Sequence, residues 1–508
     1  MMENNQENLL KEIKQTEVDF IKLIYERLGI VIKHHQTHDL HKTILNAYHK
    51  FNYAPKDYLA KLINCKDHSP LLEHFIAGVT VGETYFFRDN HQIQLLENKI
   101  LTRIIEQKRQ QNNLSLRIWS AGVATGEEIY TIAMLLSEMI PDIDKWRITL
   151  LATDINTEAL KKAIIGFYNE WSMRSIQDYF KQRYFSTINR GYSFSPKLRE
   201  LVHFDYLNLN DDTYPAIFNG TNAQDLILCR NVFIYFDNTK IARLMQKLNA
   251  CLVPGGYLLL GASDPVNLSG TDFIFHHHDG LIFTRPTEEK ISVEAKKPIV
   301  SEKVKVVNKV KNKVKETKIY QVKNIPDKKK PDYSYQDKIS ELLKESNWQA
   351  ALNMVDLFET LEKNTQFIFF SKAIALANLG KLAEAEKVCQ EGLKYHATDK
   401  DMYFTYALIH IELNHLVEAE KMLRKTLFLD HQFVPGHFQL GLLLLRNKQI
   451  ELGLKSLCNA LIIAKAKDPK EKVISSQGLC YGRFVEIVKQ EIELHTLSGN
   501  KNYANQSA

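Results

Sequence analysis

The chain has 508 residues, which is too long for one hydrophobic core and predicts two to four domains. Its composition, 44% hydrophobic and 25% charged, is ordinary for a globular protein. No stretch approaches the roughly 18 uninterrupted apolar residues of a membrane helix, and the polar N-terminus lacks the apolar core of a signal peptide. Six scattered cysteines without a CxxC pair favour reduced thiols over disulfides or a zinc site. We therefore expect a cytoplasmic protein.

The net charge of +6 is concentrated in one segment. Between Lys296 and Lys330 there are thirteen lysines and three acids, so this segment carries +10 and the rest of the chain carries −4, the difference between +6 and +10. Because the folded parts are not basic, the charge does not indicate a nucleic-acid-binding protein. Residues 287–334 instead predict a flexible, extended linker whose like charges repel. Contact of this linker with nucleic acid or acidic lipid is the alternative.

In chain order, the first 90 residues predict a small helical domain, because FIKLIYERLGI and YLAKLINC place apolar residues at helical spacing. From 91 to 286, short apolar runs separated by helical segments predict a mostly parallel sheet covered on both faces. The predicted strands lie in LRIWSA, ITLLATD, LVHFDYLN, DLILCRN and YLLLGAS, and FIFHHHDGLIF predicts a closing hairpin. Its three consecutive histidines, 276–278, alternate between strand faces, so we expect no metal site there.

Residues 335–470 contain a repeat of 34 residues. Four columns recur at this spacing: Ala373, Ala407 and Gly441; Gly380, Asn414 and Lys448; Ala385, Ala419 and Gly453; and Leu393, Leu427 and Leu461. The pattern resembles the tetratricopeptide repeat (TPR), whose helical hairpins stack into a solenoid with a concave binding face. We predict three repeats over 366–467, a degenerate one over 336–365 with Trp348 and Ala351, and a C-terminal helix and tail over 471–508. An unrelated helical bundle would not keep four columns in register.

The segment WSAGVATGEE, residues 119–128, joins a predicted strand to a predicted helix. It lacks both GxGxxG and GxxxxGK[ST], and Glu127 at the helix N-terminus would repel a phosphate. A nucleoside cofactor without phosphate is favoured, because the glycine turn lets the backbone approach and a carboxylate pairs with the amino group of S-adenosylmethionine (SAM). Asp154 ends the next strand, where ribose hydroxyls bind in dinucleotide folds. The alternative, that both acids only cap helices, explains each acid separately but not the pair.

Four motifs in this order resemble the CheR family: TVGETYFFRD (80–89), WSAGVATGEE, ATDIN (152–156) and CRNVFIYF (229–236). The resemblance covers about residues 15 to 285. CheR proteins are SAM-dependent methyltransferases of glutamate side chains on bacterial chemoreceptors. The resemblance implies a helical N-terminal domain, a Rossmann-like α/β methyltransferase domain with a mostly parallel seven-stranded sheet, and a role in chemotaxis signal transduction.

The same resemblance implies the residues that hold the cofactor. Thr84, Arg88 and Glu127 would contact the methionine part of SAM, with Arg88 also near the reacting carboxylate. Asp154 would bind the ribose.

Five further residues complete the implied site. Asn208 and Leu209 match the adenine-side contact, Asn231 and Val232 lie at the tip of the fourth strand, and Tyr235 would line the substrate side. A glutamate substrate has a pKa of about 4.3 and is already an anion at neutral pH, so the reaction needs no general base. Catalysis would come from holding the carboxylate oxygen and the methyl group in line, away from water.

The sequence also departs from the family pattern. Gly82 stands where the family often has asparagine, so one polar contact to SAM is missing or replaced by backbone. An arginine-rich face of the N-terminal helices is replaced by histidines and lysines: His38, His41, Lys42, His49 and Lys50. The segment STINRGYSFSPKLRE is short for family members that grip a receptor's C-terminal pentapeptide, and we expect pentapeptide-independent recognition.

Two other functions stay open: a non-catalytic SAM-binding sensor or scaffold that acts through its TPR module, and a methyltransferase of a non-receptor substrate, including nucleic acid. Arg88, Glu127 and Asp154 argue against the first, and the lack of an NPPY-like tetrapeptide argues against nucleic acid. The predicted partners are chemoreceptor helices as substrate and an unidentified protein bound by the TPR module, with recruitment to membrane receptor arrays. Nucleic acid, membrane insertion and metal are not expected.

Overall fold

The structure is a computed structural model that describes residues 2–33, 36–65, 69–80, 82–211, 213–278, 280–286, 334–345, 347–360, 364–473 and 479–504. The predicted lysine-rich linker lies outside the described residues, except for its last residue, Ser334. Of the helices within the described ranges, none combines the length and apolar character that a membrane span needs.

Four helices form the N-terminal domain: α1 (Met2–Leu28), α2 (Thr37–Phe51), α3 (Pro55–Asn64) and α4 (Pro70–Val79). Proline at the first position starts both α3 and α4, where the missing N–H costs no hydrogen bond. Ser69 caps α4 by accepting from the Leu72 N–H at 3.2 Å. Buried aromatic and aliphatic side chains such as Phe20 and Phe75 make the core of this helical unit.

A seven-stranded sheet forms the centre of the second unit. Its strands are β1 (Ser115–Ala121), β2 (Arg147–Asp154), β6 (Val202–Tyr206), β7 (Gln224–Cys229), β8 (Leu252–Leu260), β9 (Ile274–His278) and β10 (Gly280–Thr284). The order is β6-β2-β1-β7-β8-β10-β9, and every pairing is parallel except those of β10 with β8 and with β9, so β10 alone runs against the other strands of this sheet. The predicted strands, their parallel arrangement and the closing hairpin are confirmed. Because the chain leaves β1 towards β2 and later returns on the other side as β7, the carboxyl ends of these strands frame a crevice.

Helices cover the sheet: α5 (Asn90–Leu95), α6 (Thr102–Gln110), α7 (Glu127–Met139), α8 (Thr157–Ile165), α9 (Asp178–Tyr184), α10 (Pro196–Arg199) and α11 (Asn238–Cys251), with a π-helical turn (Leu96–Leu101) between α5 and α6. The sheet strands read as nearly continuous apolar runs because both faces are buried, as Trp119 and Ile118 on β1 show.

A second, three-stranded antiparallel sheet was not predicted. It consists of β3 (Phe167–Tyr168), β4 (Phe185–Ile188) and β5 (Gly191–Phe194), in the order β3-β5-β4. Strands of two to four residues are too short for apolar alternation to be visible in the sequence. The Phe194 side chain extends from this small sheet into the main core. Its burial there holds the small sheet beside α7.

The C-terminal region consists of paired helices, as the 34-residue period predicts. They are α12 (Ser334–Lys344), α13 (Trp348–Glu359), α14 (Gln366–Asn378), α15 (Leu382–Tyr395), α16 (Lys400–Glu412), α17 (Leu416–Leu429), α18 (Val434–Arg446), α19 (Ile450–Lys465) and the final α20 (Tyr481–Ala504). Small residues lie where helices meet: a Cβ on Gly441 would come within 2.7 Å of the Leu457 side chain. The multidomain fold class, with a TPR solenoid at the C-terminus, is confirmed.

The solenoid packs against the methyltransferase domain through α14, α16, α18 and α20. The segment 213–222, which precedes β7, inserts its Ile217 and Phe218 among apolar side chains of the solenoid. The Ile217 N–H donates to Asn378 Oδ1 at 2.9 Å, and Gln439 donates to the Phe218 carbonyl at 3.1 Å. An ion pair between Arg117 on β1 and Glu412 on α16 adds a charged contact. We call these contacts, together with those of α20, the interdomain surface.

A cleft of about 1170 Å³ separates β2 and β6 from the solenoid, and two carboxyl groups face each other beside it. Burial first, and then like-charge repulsion from Asp205 on β6, raises the pKa of Glu491 on α20 to about 8. Burial likewise raises the pKa of Asp205 to about 6. Burial also lowers the pKa values of His203 and His495, which favours their neutral forms, and the charge of Arg483 offsets part of the rise at Asp205.

The stability of the folded chain should therefore fall with rising pH. The folded chain keeps the Glu491 proton up to about pH 8, whereas the unfolded chain releases it near the ordinary pKa of about 4.3. Between these values the unfolded state binds fewer protons, so stability is lost as pH rises from about 5 to about 8. Glu491→Gln should flatten the pH dependence of the thermal unfolding midpoint, and Glu486→Gln on the same helix should not. Identical pH profiles for wild type and Glu491→Gln would contradict this account.

Candidate active site

The loop after β1 turns on two glycines with positive φ. Gly122 has φ +81°, and a Cβ there would lie 2.5 Å from the Val232 side chain, so no other residue fits without displacing the tip of β7. Gly126 has φ +93° and caps α7, with Ala163 2.9 Å from the position of a Cβ. These close approaches bring the loop backbone and the ends of β1 and β7 together.

Asp154, at the end of β2, is the acceptor around which this loop folds. Its two carboxylate oxygens accept from the Ala124 and Asn156 N–H groups, each at 2.8 Å. The side chain lies inside the domain with its remaining open side on a cavity, and burial raises its pKa. A carboxylate has about four lone-pair directions, so the two backbone bonds leave acceptor capacity for a ligand.

A cavity of about 320 Å³ lies at the carboxyl ends of β1, β2 and β7, closed on one side by the helical domain. Eight of the nine site residues implied by the sequence line it: Thr84, Arg88, Asp154, Asn208, Leu209, Asn231, Val232 and Tyr235. They come from segments separated by up to about 150 residues and meet only in the folded chain.

Glu127, the ninth residue, is placed differently. Its carboxylate accepts from Thr125 Oγ1 at 2.6 Å and from Ser172 Oγ at 2.9 Å, it is 2% exposed, and burial raises its pKa. The neighbouring Glu128 lines the cavity instead and accepts from Ser120 Oγ at 2.7 Å. The cofactor-binding role of Glu127 stays a prediction, and Glu128 is the acid that sequence reasoning passed over.

Arg230 is a second residue that sequence reasoning missed, although it lies inside the motif CRNVFIYF. Its guanidinium is buried and pairs with Glu128 at 3.1 Å, donates to the Arg88 carbonyl at 2.7 Å and bonds the Gln92 side chain. One arginine thus joins the tip of β7 to α7, to α5 and to the segment that carries Arg88. The signal available in the sequence was an arginine directly after a continuous apolar strand.

Arg88 stands between two residues in the left-handed region, Phe87 with φ 56° and Asp89 with φ 59°. Non-glycine residues rarely adopt this conformation, and it persists only where surrounding contacts impose it. Here the Phe87 N–H donates to Thr131 Oγ1 at 3.2 Å. The Arg88 guanidinium donates to the Glu83 carbonyl at 2.6 Å, which places it at the cavity wall.

The tip of β7 is held by Asp264, another residue the sequence did not single out. The Asp264 carboxylate accepts from the N–H groups of Asn231 at 2.6 Å and Gly261 at 2.8 Å, and Asn231 itself has φ 59°. Burial raises the Asp264 pKa. The carboxylate thereby fixes the direction in which Asn231 and Val232 enter the cavity.

Asn208 and Tyr235 connect the cavity to the helical domain. The Asn208 amide donates to the Arg27 carbonyl at 3.1 Å, and the Tyr235 carbonyl accepts from the Val31 N–H at 2.8 Å. Burial raises the pKa of the Tyr235 hydroxyl, so it stays protonated and able to donate. The helical domain therefore forms one wall of the site.

Comparison with known proteins identifies the family of the chain. Residues 82–281 match the family model described as "CheR methyltransferase, SAM binding domain". A chemotaxis protein methyltransferase of Borreliella burgdorferi is 32% identical over 268 residues, which cover 52% of this chain and 92% of that protein. The chain belongs to the CheR methyltransferase family. The relative from Escherichia coli K12 is 31% identical over 250 residues, 48% of this chain and 82% of that protein.

Solved structures share shorter or more distant likeness with this CheR-family chain. The TPR protein YrrB is 14% identical, covers 33% of this chain and 91% of its own, and has a TM-score of 0.24. Magnesium protoporphyrin IX methyltransferase from Synechocystis PCC 6803, solved with SAM, is 12% identical, covers 48% of this chain and 97% of its own, and has a TM-score of 0.21.

The cofactor of this CheR-family enzyme is SAM, and the cavity residues suit it. Gly122 admits close approach of the backbone, Asp154 offers an acceptor for hydroxyl groups, and the apolar Leu209 and Val232 suit an adenine. When bound, SAM supplies a methyl group on a sulfonium. Gly82 also lines the cavity, and a Cβ there would make only an ordinary contact with Ala124 at 3.8 Å, so this position does not require glycine for lack of space at Cβ.

Removing the Asp154 carboxylate should weaken SAM binding. We expect Asp154→Ala to reduce affinity by about 1.5–3 kcal/mol, roughly 10- to 150-fold, because a charge-assisted hydrogen bond is lost. Isothermal titration with SAM measures the change, and Asp178→Ala on the exposed start of α9 is the matched control. Unaltered affinity in Asp154→Ala would refute its role in binding the ribose.

Breaking the Arg230–Glu128 pair should destabilise the methyltransferase domain. Arg230→Met leaves the mostly buried Glu128 carboxylate without its cation, and such losses cost about 3–5 kcal/mol. Denaturant unfolding should show a lower midpoint for Arg230→Met and a partial recovery in the double variant Arg230→Met/Glu128→Gln. If the double variant is as unstable as the single one, the uncompensated charge is not the cause.

Proposed function

We propose that this enzyme methylates glutamate side-chain carboxylates of chemoreceptors in chemotaxis-type signalling. The observation that carries the proposal is the position of Arg88. Arg88 and Tyr235 both line the cofactor cavity. The two side chains are close enough for the Arg88 charge to act on the Tyr235 hydroxyl. A guanidinium can bind a carboxylate with two parallel hydrogen bonds, so this wall suits an acidic acceptor.

The residues around the cavity support a reaction driven by positioning. Asp154 and Asp264 have their carboxylates engaged by backbone N–H groups, and Glu128 is paired with Arg230. Since a glutamate substrate is already an anion at neutral pH, proton removal is not required. Arg88 and Tyr235 would orient the substrate oxygen, and the buried cavity would exclude water. Arg88 must hold the carboxylate loosely, because tight binding of the ground-state anion slows the step.

The surface of α2 supports docking of an acidic receptor helix. Its exposed side chains include His38, Lys42, His49 and Lys50, while its apolar side faces the domain core. The charges of Lys42 and Lys50 complement a helix that carries several glutamates, and each methyl ester would remove one negative charge from that helix. This face takes the place that arginines hold in other family members.

We further propose that substrate recognition does not require a receptor's C-terminal pentapeptide. Support comes from the hairpin β4–β5, where Ile188 pairs with Gly191 and only Asn189 and Arg190 form the turn. A turn of two residues leaves no inserted loop to bind an extended peptide in this hairpin.

The TPR module is proposed to bind a protein partner and so raise the enzyme's concentration near its substrate. Helices α14, α16, α18 and α20 lie on the interdomain surface, so the second helices of the pairs offer their outer faces to a partner. Large apolar side chains are exposed there, including Val417 and Phe428 on α17 and Leu452 and Ile462 on α19. Together with the receptor substrate, such a partner would recruit a cytoplasmic enzyme to membrane receptor arrays.

Methyl transfer to receptor fragments tests the proposed activity. The wild-type chain should transfer radiolabelled methyl groups from SAM to a receptor cytoplasmic fragment, and alkali should release them as methanol, because carboxyl methyl esters hydrolyse and N-methyl groups do not. Arg88→Ala should lower kcat/KM by roughly 100-fold, as expected for lost positioning. Arg103→Ala, an exposed arginine on α6, is the control.

SAM binding without transfer to any receptor fragment would contradict the proposed activity. Label that resists alkali would place the methyl group on another kind of acceptor.

A further inference from the structure

Three side chains of the TPR module converge at one end of two adjacent repeats. Glu386 lies on α15, His410 on α16, and His415 directly before α17. Their ligand atoms all lie within 4.8 Å of one another, and among the described residues this is the group of three with metal-ligand chemistry at such distances. The group lies outside the cofactor cavity, whose lining comes from the N-terminal and methyltransferase domains.

His410 lacks the hydrogen bond that a buried imidazole normally makes. The residue is 4% exposed, and its Nδ1 has no hydrogen-bond partner among the described residues. Burying a polar nitrogen without a partner is costly, and such groups call for an explanation such as a bound ion. The His415 ring lies 5.6 Å from the His410 ring, between centroids, so the two imidazoles face a shared space.

The surrounding contacts hold the three residues in place. The His415 N–H donates to the His410 carbonyl at 2.9 Å, which fixes the turn that follows α16. The ring of Tyr406 packs against the His410 ring, with 4.3 Å between the ring centroids. Gln390 on α15 in turn donates to the Tyr406 hydroxyl at 2.9 Å.

We propose that Glu386, His410 and His415 form a binding site for Zn²⁺, with water completing a four-coordinate shell. Two imidazoles and one carboxylate are the ligand set of borderline divalent transition metals, whereas Ca²⁺ and Mg²⁺ take oxygen ligands. A bound ion would cross-link α15 to the α16–α17 turn and stabilise the contact between two repeats. Any ion that binds only the folded state raises stability in proportion to the logarithm of its concentration over Kd.

Zinc titration of the full-length, tag-free protein tests the site. After treatment with EDTA and desalting, isothermal titration with ZnSO₄ should show a saturable site, and CoCl₂ should produce the visible absorption of four-coordinate cobalt. His415→Ala and Glu386→Gln should each weaken Zn²⁺ binding by at least about 10-fold, since each removes one ligand. Both replaced side chains are partly or fully exposed, so the folded module should survive either change.

Two control variants distinguish this cluster from other surface groups. Glu384→Gln removes a charge from the same helix, and His431→Ala removes an exposed imidazole elsewhere in the module. Both should bind Zn²⁺ as the wild type does, and Zn²⁺ should raise the thermal unfolding midpoint of wild type and controls but not of the ligand variants. Absence of saturable binding, or binding that persists in both ligand variants, would overturn the proposal.

Discussion

The buried guanidinium of Arg230 is the contact on which the active-site wall depends. It bonds Glu128 at the start of α7, Gln92 on α5 and the carbonyl of Arg88. The tip of β7, the start of α7 and the segment 88–92 therefore take their relative positions from one side chain. Because such a cation is stable inside a protein only when its donors are satisfied, displacing any one of these partners disturbs the others. The left-handed conformations on both sides of Arg88 persist because this network holds that segment in place.

The second organising feature is the contact between the two large parts of the chain. Shortly before β7, Ile217 is buried and Phe218 half-buried among solenoid helices, so the same short segment packs in both units. The strand that follows this segment ends at Asn231 and Val232 in the cofactor cavity. The solenoid contact at Ile217 and the cavity residues Asn231 and Val232 are therefore connected through a single strand, β7.

Much of this architecture was readable from the residues. Buried parallel strands appear as apolar runs, and the 34-residue columns identify the solenoid because helix contacts such as Gly441 against Leu457 tolerate only small side chains. The motif positions predicted eight residues that line one cavity. Prediction from the sequence was incomplete at Glu127 and Glu128. Adjacent residues at the start of a helix point in different directions, and the sequence motif does not show which of the two faces the cavity.

The sequence by itself determined the order of the domains, the strands of the main sheet, the repeat period and the family, because these follow from local periodicity and from motifs read along the chain. Only the tertiary structure decided which side chains meet across long separations. The Arg230–Glu128 pair, the Asp205–Glu491 repulsion and the cluster of Glu386, His410 and His415 all depend on how separate helices and strands pack. Burial raises the pKa values of Asp205 and Glu491 and leaves His410 Nδ1 without a hydrogen-bond partner among the described residues, and burial exists only once the chain has folded.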